Sequence, residues 1–444
     1  MAITETKTKY GQVHGVQKDG YTVFRGVPYA KPPVGEKRFC PPEEPACWEG
    51  VYKADHFGCV CPQTEHEPDS FYGKEFYLDP EFGMNQSEDC LYLNIWTPAN
   101  AADEKLPVAF WIHGGAFMHG FSHESEFDGA AYCERGVILV TINYRLGAFG
   151  FLAHPWLSEE SGAGRSGNYA ILDQIAALKW VKENIAAFGG DPENITVFGQ
   201  SAGCMSVQTL VSSPLTENWI SKAIFQSAGG YDTGLNRDMP LSEAETIGQE
   251  FVELSGAKSL EELRAIPAEK IVELQEEFGR VNPSRMLSFV PNIDNHLLTC
   301  GYNEAVTEGK IKDIPYMLGS TADDIGVFPE MKEKGEHGGI YKGCINWSLA
   351  LEKLGRKPAY VYYFTRALLG DDAGAFHSSE LWYMFGTLGR SWRPKTEGDY
   401  ALSKEMMDDW TNFMKTGNPN AEGKDDWKPC TKDDPYVQVL DVRE

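Results

Sequence analysis

The pentapeptide Gly199-Gln200-Ser201-Ala202-Gly203 fits the pattern Gly-x-Ser-x-Gly. The pattern has a mechanical meaning. A strand turns sharply into a helix with the serine at the bend, and side chains at the flanking positions would clash. The serine Oγ then stands exposed, ready to attack an electrophilic carbon. With 45 glycines in 444 residues, chance supplies about 0.2 such matches, so the surroundings must decide. Residues 195–198 before it read as a strand and residues 204–210 after it as a helix. The context therefore predicts a nucleophile rather than a tight-packing turn. A second glycine-rich stretch, His113-Gly114-Gly115-Ala116-Phe117, follows the apolar run 108–112. Glycines let a backbone approach a ligand and aim N–H groups at it. Acyl transfer needs such donors where charge develops on the carbonyl oxygen, and the N–H groups of Gly114, Gly115 and Ala202 are the expected trio. His113 itself reads as a residue that fixes its loop.

A serine needs a base, and the base needs a carboxylate to hold its tautomer. On a strand–turn–helix scaffold of this kind the chain order is serine, acid, histidine. Three histidines follow Ser201: His296, His337 and His377. His377 lies beyond the strand-like run 360–364, where the base is expected. His337 reads as a solvated loop residue and His296 as a polar turn residue. The acid should follow the run 316–319, which leads into Ala322-Asp323-Asp324-Ile325. Asp324 is preferred, with Asp323 as the alternative. His113 and His119 are six apart with no third ligand near them, so no metal site is read. The chemistry calls for no cofactor.

These residues need a frame. Short β-branched or aromatic runs at 108–112, 137–143, 195–198, 222–226, 316–319 and 360–364 are mostly apolar on both faces, as strands of a covered parallel sheet are. Residues 169–187 carry a helical apolar stripe, with Asn168 as the expected N-cap and Gly189-Gly190 as the stop. Strand–helix alternation predicts a doubly wound α/β sheet. Residues 1–444 read as a single domain, with helical insertions at about 236–312 and 326–356.

The chain carries 40 Lys+Arg against 65 Asp+Glu, a net charge of −25. That balance argues against nucleic acid, whose phosphates demand basic side chains. No apolar run is long enough to cross a membrane. The N-terminus lacks the apolar core of a signal peptide, which points to the cytoplasm. The ten cysteines are scattered and read as reduced structural thiols. The sequons at Asn85, Asn194 and Asn346 carry no meaning without secretion.

Further motifs run along nearly the whole chain. They include Phe24-Arg-Gly-Val-Pro-Tyr-Ala-Lys-Pro-Pro-Val-Gly-Glu-Lys-Arg-Phe39, Ser87-Glu-Asp-Cys-Leu-Tyr-Leu-Asn94, Asn143-Tyr-Arg145 and Gly167-Asn-Tyr-Ala-Ile-Leu-Asp-Gln174. Phe188-Gly-Gly-Asp-Pro192, His377-Ser-Ser-Glu-Leu381 and Trp410-Thr-Asn-Phe-Met-Lys-Thr-Gly-Asn-Pro419 continue the series. Together they resemble the type-B carboxylesterases, a family that includes bacterial p-nitrobenzyl-type esterases. The resemblance implies an α/β-hydrolase fold, with a mostly parallel central sheet flanked by helices, and hydrolysis of small-molecule carboxylic esters. By motif it places the triad at Ser201, Asp324 and His377, with Gln200 and Ser227 in support. It also implies a disulfide between Cys90 and a cysteine of the Cys59/Cys61 region. Gln200 stands where many members have Glu, and Asp324 where Glu is commoner. Small aryl or short-acyl esters are the expected substrates. Phe117, Trp382, Tyr383, Phe385 and Trp392 are read either as the pocket lining or as core. Amide, carbamate and lactone hydrolysis share the same chemistry, and a non-catalytic interaction protein is the remote alternative.

Overall fold

The structure is a computed structural model that describes residues 2–79 and 82–443. Met1, at the start of the N-terminal stretch read above, lies outside the described residues, as do Pro80, Glu81 and Glu444. All six runs expected as strands fall in one sheet. Strands β1 (Glu5–Lys7), β2 (Gln12–His14) and β5 (Val51–Lys53) form a small separate sheet. The central sheet takes β3 (Val16–Gln17), β4 (Thr22–Pro28), β6 (Tyr92–Thr97), β7 (Leu106–Ile112), β8 (Ile138–Ile142) and β9 (Gly190–Gln200). It is completed by β10 (Lys222–Gln226), β11 (Tyr316–Thr321), β12 (Tyr360–Phe364) and β13 (Gln438–Leu440). Their order is β13-β12-β11-β10-β9-β7-β8-β6-β4-β3. From β8 to β13 every pairing is parallel, while β6, β4 and β3 join antiparallel at one edge.

Both faces of the sheet are covered, and the strands show it residue by residue. Val108, Phe110 and Ile112 pack into one apolar cluster, and Ala109 and Trp111 into the other. The first face is covered by the helices Tyr169–Asn184, Ala202–Ser212 and Gly339–Lys353, which contribute Trp180, Leu210 and Trp347. The second is covered mainly by Glu397–Thr416, through Met406, Trp410 and Phe413. Four helices, Leu241–Ser255, Leu260–Ala265, Ala268–Val281 and Tyr302–Thr307, lie between β10 and β11. Pro329–Glu333 and Gly339–Lys353 lie between β11 and β12.

Register then fixes where loops meet. Ile112 pairs with Gly199, Gln200 with Gln226, and Gln226 with Gly319. The chain leaves β7, β9, β10 and β11 at one level of one sheet end, which is where a doubly wound sheet places its ligand site.

Two local expectations change. The helix 169–187 ends at Asn184 and tightens into a 3₁₀ turn, Ile185–Phe188, before Gly189 at φ 84°. Asn168 makes no capping bond. Its amide is spent across the chain, donating to the Asn292 carbonyl (3.0 Å) and accepting from the Asn292 N–H (2.9 Å). Strand β4 was not legible as a strand, because its register shifts between Phe24 and Val27 around Gly26, which breaks the alternation.

Candidate active site

Strand β9 ends at Gln200 and the helix Ala202–Ser212 starts two residues later, so Ser201 alone makes the turn. Its φ of 55° and ψ of −125° are a strained conformation for a residue with a β-carbon, worth about 1–3 kcal/mol. The flanking glycines are sterically required. A Cβ on Gly203 would lie 2.0 Å from the Ile112 carbonyl oxygen, and one on Gly199 2.6 Å from the Gly203 backbone. The Ser201 N–H donates to the Gln226 carbonyl (2.9 Å), which ties the bend to β10.

Asp324 follows β11 and is buried. Its Oδ2 accepts from the Thr321 N–H (3.0 Å), and its Oδ1 from the Ile325 N–H (2.8 Å) and from His377 Nδ1 (2.6 Å). With Nδ1 donating, the neutral imidazole keeps its lone pair on Nε2. Asp323 points elsewhere: it pairs with Lys332 and accepts from the Ala375 N–H (2.9 Å), while its own N–H donates to the Ala375 carbonyl (2.9 Å). The two neighbouring acids thus divide the work, one holding the histidine and one holding the loop that carries it.

Nε2 of His377 is met by the Gln200 amide at 3.2 Å. The hydrogen bonds described for this imidazole go to Asp324 and Gln200, with none to Ser201. Ser201, Gln200 and His377 nonetheless line one cavity. Ser227 follows β10 at φ 56°, with its Oγ buried and without a partner among the described residues, so no bond ties it to the Asp324–His377 pair. A residue that sequence reasoning passed over lies closer to the electrostatics. Glu380, three residues beyond His377, is fully buried, and burial followed by the charge of Asp324 pushes its carboxyl up to about 7.

The glycine-rich loop after β7 is held from several sides. His113 is buried against Tyr144, donates from Nδ1 to the Gly114 carbonyl (2.9 Å), and is kept neutral by burial, its pKa pushed down to about 4. The Tyr144 hydroxyl donates to the His113 carbonyl (2.8 Å). Gln63 clamps Gly120 through both its N–H (2.7 Å) and its carbonyl (3.1 Å). Gly114 and Gly115 line the cavity beside Ser201, and their N–H groups meet no acceptor among the described residues. Ala202 supplies the first N–H of its helix, which has no partner within the helix. Three donors around a half-buried serine that lines the cavity are suited to a tetrahedral oxyanion. A Cβ on Gly114 would meet the Gln200 carbonyl at 2.9 Å and Ser201 Cβ at 3.2 Å. Gly114→Ala is therefore expected to lower kcat by about 10²–10³, the cost of one displaced oxyanion donor, with a lowered melting temperature because the atom it meets is backbone. Steady-state kinetics beside a melting curve checks this. Gly115 is the poorer test, because at φ 96° its Cβ would lie 2.2 Å from the His119 carbonyl.

The remaining motifs act as braces. Arg38 of the first motif pairs with Glu88 of the second (Nε to Oε1, 2.6 Å). Arg145 grips buried Asp173 with two parallel bonds of 2.8 and 2.7 Å. Cys90 lies against Cys61, and all ten cysteines are free thiols, so the disulfide implied by the resemblance is not formed here. Among the described residues no cluster of three or more His, Cys, Asp or Glu is placed to hold a metal, and no helix is long and apolar enough to cross a membrane.

The pocket corrects one expectation. Phe117, Trp382 and Phe385 do not line it. All three are core: Phe117 packs on Phe151, Phe385 on Trp111, and the Trp382 N–H donates to buried Glu75 (3.0 Å). The aromatic wall comes instead from Tyr72, Phe76, Tyr77 and Phe127. Ser70 caps the short helix Phe71–Phe76 by accepting from the Gly73 N–H (3.1 Å). The signal was present as a serine cap followed by two aromatic pairs five residues apart, but more than a hundred residues from Ser201. Glu75 anchors that helix to the other end of the chain, accepting from Arg393 (2.7 Å), Trp382 and Trp392 (3.0 Å each).

Comparison with known proteins agrees with this geometry. The model of the Carboxylesterase family matches residues 3–343 and 340–443. The para-nitrobenzyl esterase of Bacillus subtilis is 33% identical over 98% of this chain and 94% of its own. The fumonisin B1 esterase of Sphingopyxis macrogoltabida is 33% identical over 95% and 83%. A thermophilic para-nitrobenzyl esterase structure superimposes with a TM-score of 0.86 at 31% identity, covering 99% of this chain and 96% of that one. A carboxylesterase structure from Geobacillus stearothermophilus gives 0.82 at 32%, with the same coverage. The sheet is accordingly that of an α/β-hydrolase. Since the family model and these relatives span the chain end to end, it belongs to the carboxylesterase family and is a carboxylic ester hydrolase.

Proposed function

We propose that Ser201 is the nucleophile, His377 the general base and then acid, and Asp324 the residue that holds its tautomer, in the hydrolysis of small aryl or short-acyl esters. The observation that carries the assignment is the Asp324–His377 bond delivered to the cavity that Ser201 lines. Ser201 Oγ adds to the ester carbonyl as its proton passes to Nε2 of His377. The Gln200 amide, which meets that lone pair at rest, must yield it at this step. Asp324 stabilises the imidazolium. The N–H groups of Gly114, Gly115 and Ala202 receive the oxyanion, and collapse expels the alcohol with the proton from His377. Water then repeats the sequence on the acyl-enzyme and restores the serine.

The substrate class rests on the cavity. It encloses about 250 Å³, enough for a small ring or a short chain, and its aromatic walls suit an apolar group. The Bacillus subtilis relative, a para-nitrobenzyl esterase by name, supports the aryl reading. We further read the chain as one catalytic unit, with the segments 236–312 and 326–356 as helical insertions into it.

A series of p-nitrophenyl esters from acetate to palmitate, with matched anilides, tests the reading. The expected result is highest kcat/KM on the shortest acyl groups and an ester rate far above the anilide rate. Fastest turnover of palmitate would overturn the pocket assignment, and anilides cleaved as fast as esters would overturn the bond assignment.

A further inference from the structure

The cavity wall holds two carboxyl groups that the proposed mechanism does not use. Glu124 and Glu126 sit on the loop between β7 and β8, both line the cavity, and both are almost fully buried. The two carboxyls and the Tyr77 hydroxyl are close enough to interact electrostatically. Glu124 Oε1 also accepts from the Phe121 N–H (2.8 Å). Among the described residues neither carboxyl has a cation partner, and Glu126 Oε2 is buried with no hydrogen-bond partner. A buried carboxyl with an idle oxygen costs folding free energy. The segment around it is rigid: the Ser125 hydroxyl donates to the Phe76 carbonyl (2.9 Å), the Thr387 hydroxyl to the Glu126 carbonyl (3.0 Å), and Arg390 to the Ser125 carbonyl (2.8 Å). These contacts hold the Glu126 backbone in place, and the cavity that Glu126 lines is the space from which a partner can approach its side chain.

We propose that Glu126 is a specificity-determining residue whose idle carboxyl oxygen accepts a hydrogen bond from a hydroxyl group on the part of the aryl ester that fills the pocket. The inference rests on the ester-hydrolase reading of the same cavity. The aromatic side chains Tyr72, Phe76, Tyr77 and Phe127 flank a ring, and Glu126 reads its polar substituent. A neutral donor fits better than an ammonium group, because the wall penalises charge throughout. Burial pushes Glu124 up to about 7 and Glu126 well above the usual carboxyl range, and pushes the pocket imidazole of His66 down to about 4 and that of His119 down as well. Each group is moved toward its neutral form, and a protonated carboxyl keeps a carbonyl oxygen that accepts from O–H.

Three matched pairs test this on the full-length protein: 4-hydroxyphenyl acetate against phenyl acetate, methyl 4-hydroxybenzoate against methyl benzoate, and acetylcholine against 3,3-dimethylbutyl acetate. Each kcat/KM is divided by the hydroxide-catalysed rate of the same ester, which removes intrinsic reactivity. The expected result is a preference of about two- to tenfold for the hydroxylated member of at least one aryl pair, the net worth of a hydrogen bond between neutral groups. That ratio falls toward one in Glu126→Leu and in Glu126→Met, the second variant guarding against misfolding of the first. Ratios near one for both aryl pairs in the unmodified protein would overturn the proposal. So would ratios unchanged in the folded variants, or a larger preference for acetylcholine over its uncharged isostere, which would assign the pocket to a cation. Failure of the unmodified protein to hydrolyse any of the six would overturn the ester-hydrolase reading, and this inference with it.

Discussion

Ser201→Ala is expected to abolish labelling by an organophosphonate and to lower kcat/KM on p-nitrophenyl acetate by about 10⁴–10⁶, the range set by losing a nucleophile whose partners act only with it. The unmodified protein should take up a single phosphonyl group, read as one mass shift of the intact chain. The variant suits the test for a structural reason. Alanine keeps the β-carbon, so the strained turn at φ 55° and the contacts of Gly199 and Gly203 are preserved. Only Oγ leaves, and Ser201 Oγ has no hydrogen bond with His377 to lose in the resting structure. The melting temperature should therefore hold or rise slightly, which separates lost chemistry from lost fold. A variant that still turned over more than about a tenth of the substrate would require another nucleophile, since the oxyanion donors and binding alone leave only a residual 10³–10⁴ over water.

The legible parts of the fold were those that one local rule decides. Strands buried on both faces read as apolar runs because nothing on either side of them is wet, and 222–226 and 360–364 were found to the residue. Gly-x-Ser-x-Gly is legible because two atoms, the carbonyl oxygens of Ile112 and Gly203, leave no room for a side chain beside the bend. The acid was legible as Asp324 with Asp323 as the alternative, and the backbone N–H groups that each carboxylate meets show how differently the two are used. What was not legible depends on chain segments far apart in sequence. Trp382 and Phe385 sit near His377 in sequence, but their side chains turn toward Glu75 and Trp111 beneath the sheet end. The walls that face Ser201 arrive from residues 66–77 and 124–127. Helical or strand periodicity reports which face of an element is buried. It does not report whether the buried face meets core or a cavity. The same limit hid Asn168, whose position before a helix predicts a cap but whose amide is used to fasten the loop at Asn292.

The second large effect separates the two neighbouring acids. Asp324→Asn is expected to lower kcat by about 10⁴, the cost of a histidine held in the wrong tautomer, whereas Asp323→Asn should cost less than about tenfold, since an exposed ion pair is worth only ~0–1 kcal/mol. The difference follows from donor counting. Both oxygens of Asp324 are occupied by N–H donors, Oδ2 by Thr321 and Oδ1 by Ile325 and by His377. Asparagine offers one acceptor oxygen and two donors. If its oxygen serves Thr321, its NH₂ faces the Ile325 N–H and the imidazole, which then presents a bare Nδ1 and moves its proton to Nε2. A proton on Nε2 leaves no lone pair to receive that of Ser201, so the chemical step fails while the substrate still binds. KM should change far less than kcat. At Asp323 the geometry is more forgiving. One oxygen accepts from Ala375 N–H and the other meets half-exposed Lys332, so asparagine keeps the first contact and gives up only a screened charge pair. The Ala375 contact anchors the loop that carries His377, so a modest loss with a small fall in melting temperature is the expected signature. The two single variants, measured for kcat, KM and melting temperature in one buffer, decide the assignment. A larger loss in kcat from Asp323→Asn than from Asp324→Asn would move the acid of the triad one residue back along the chain.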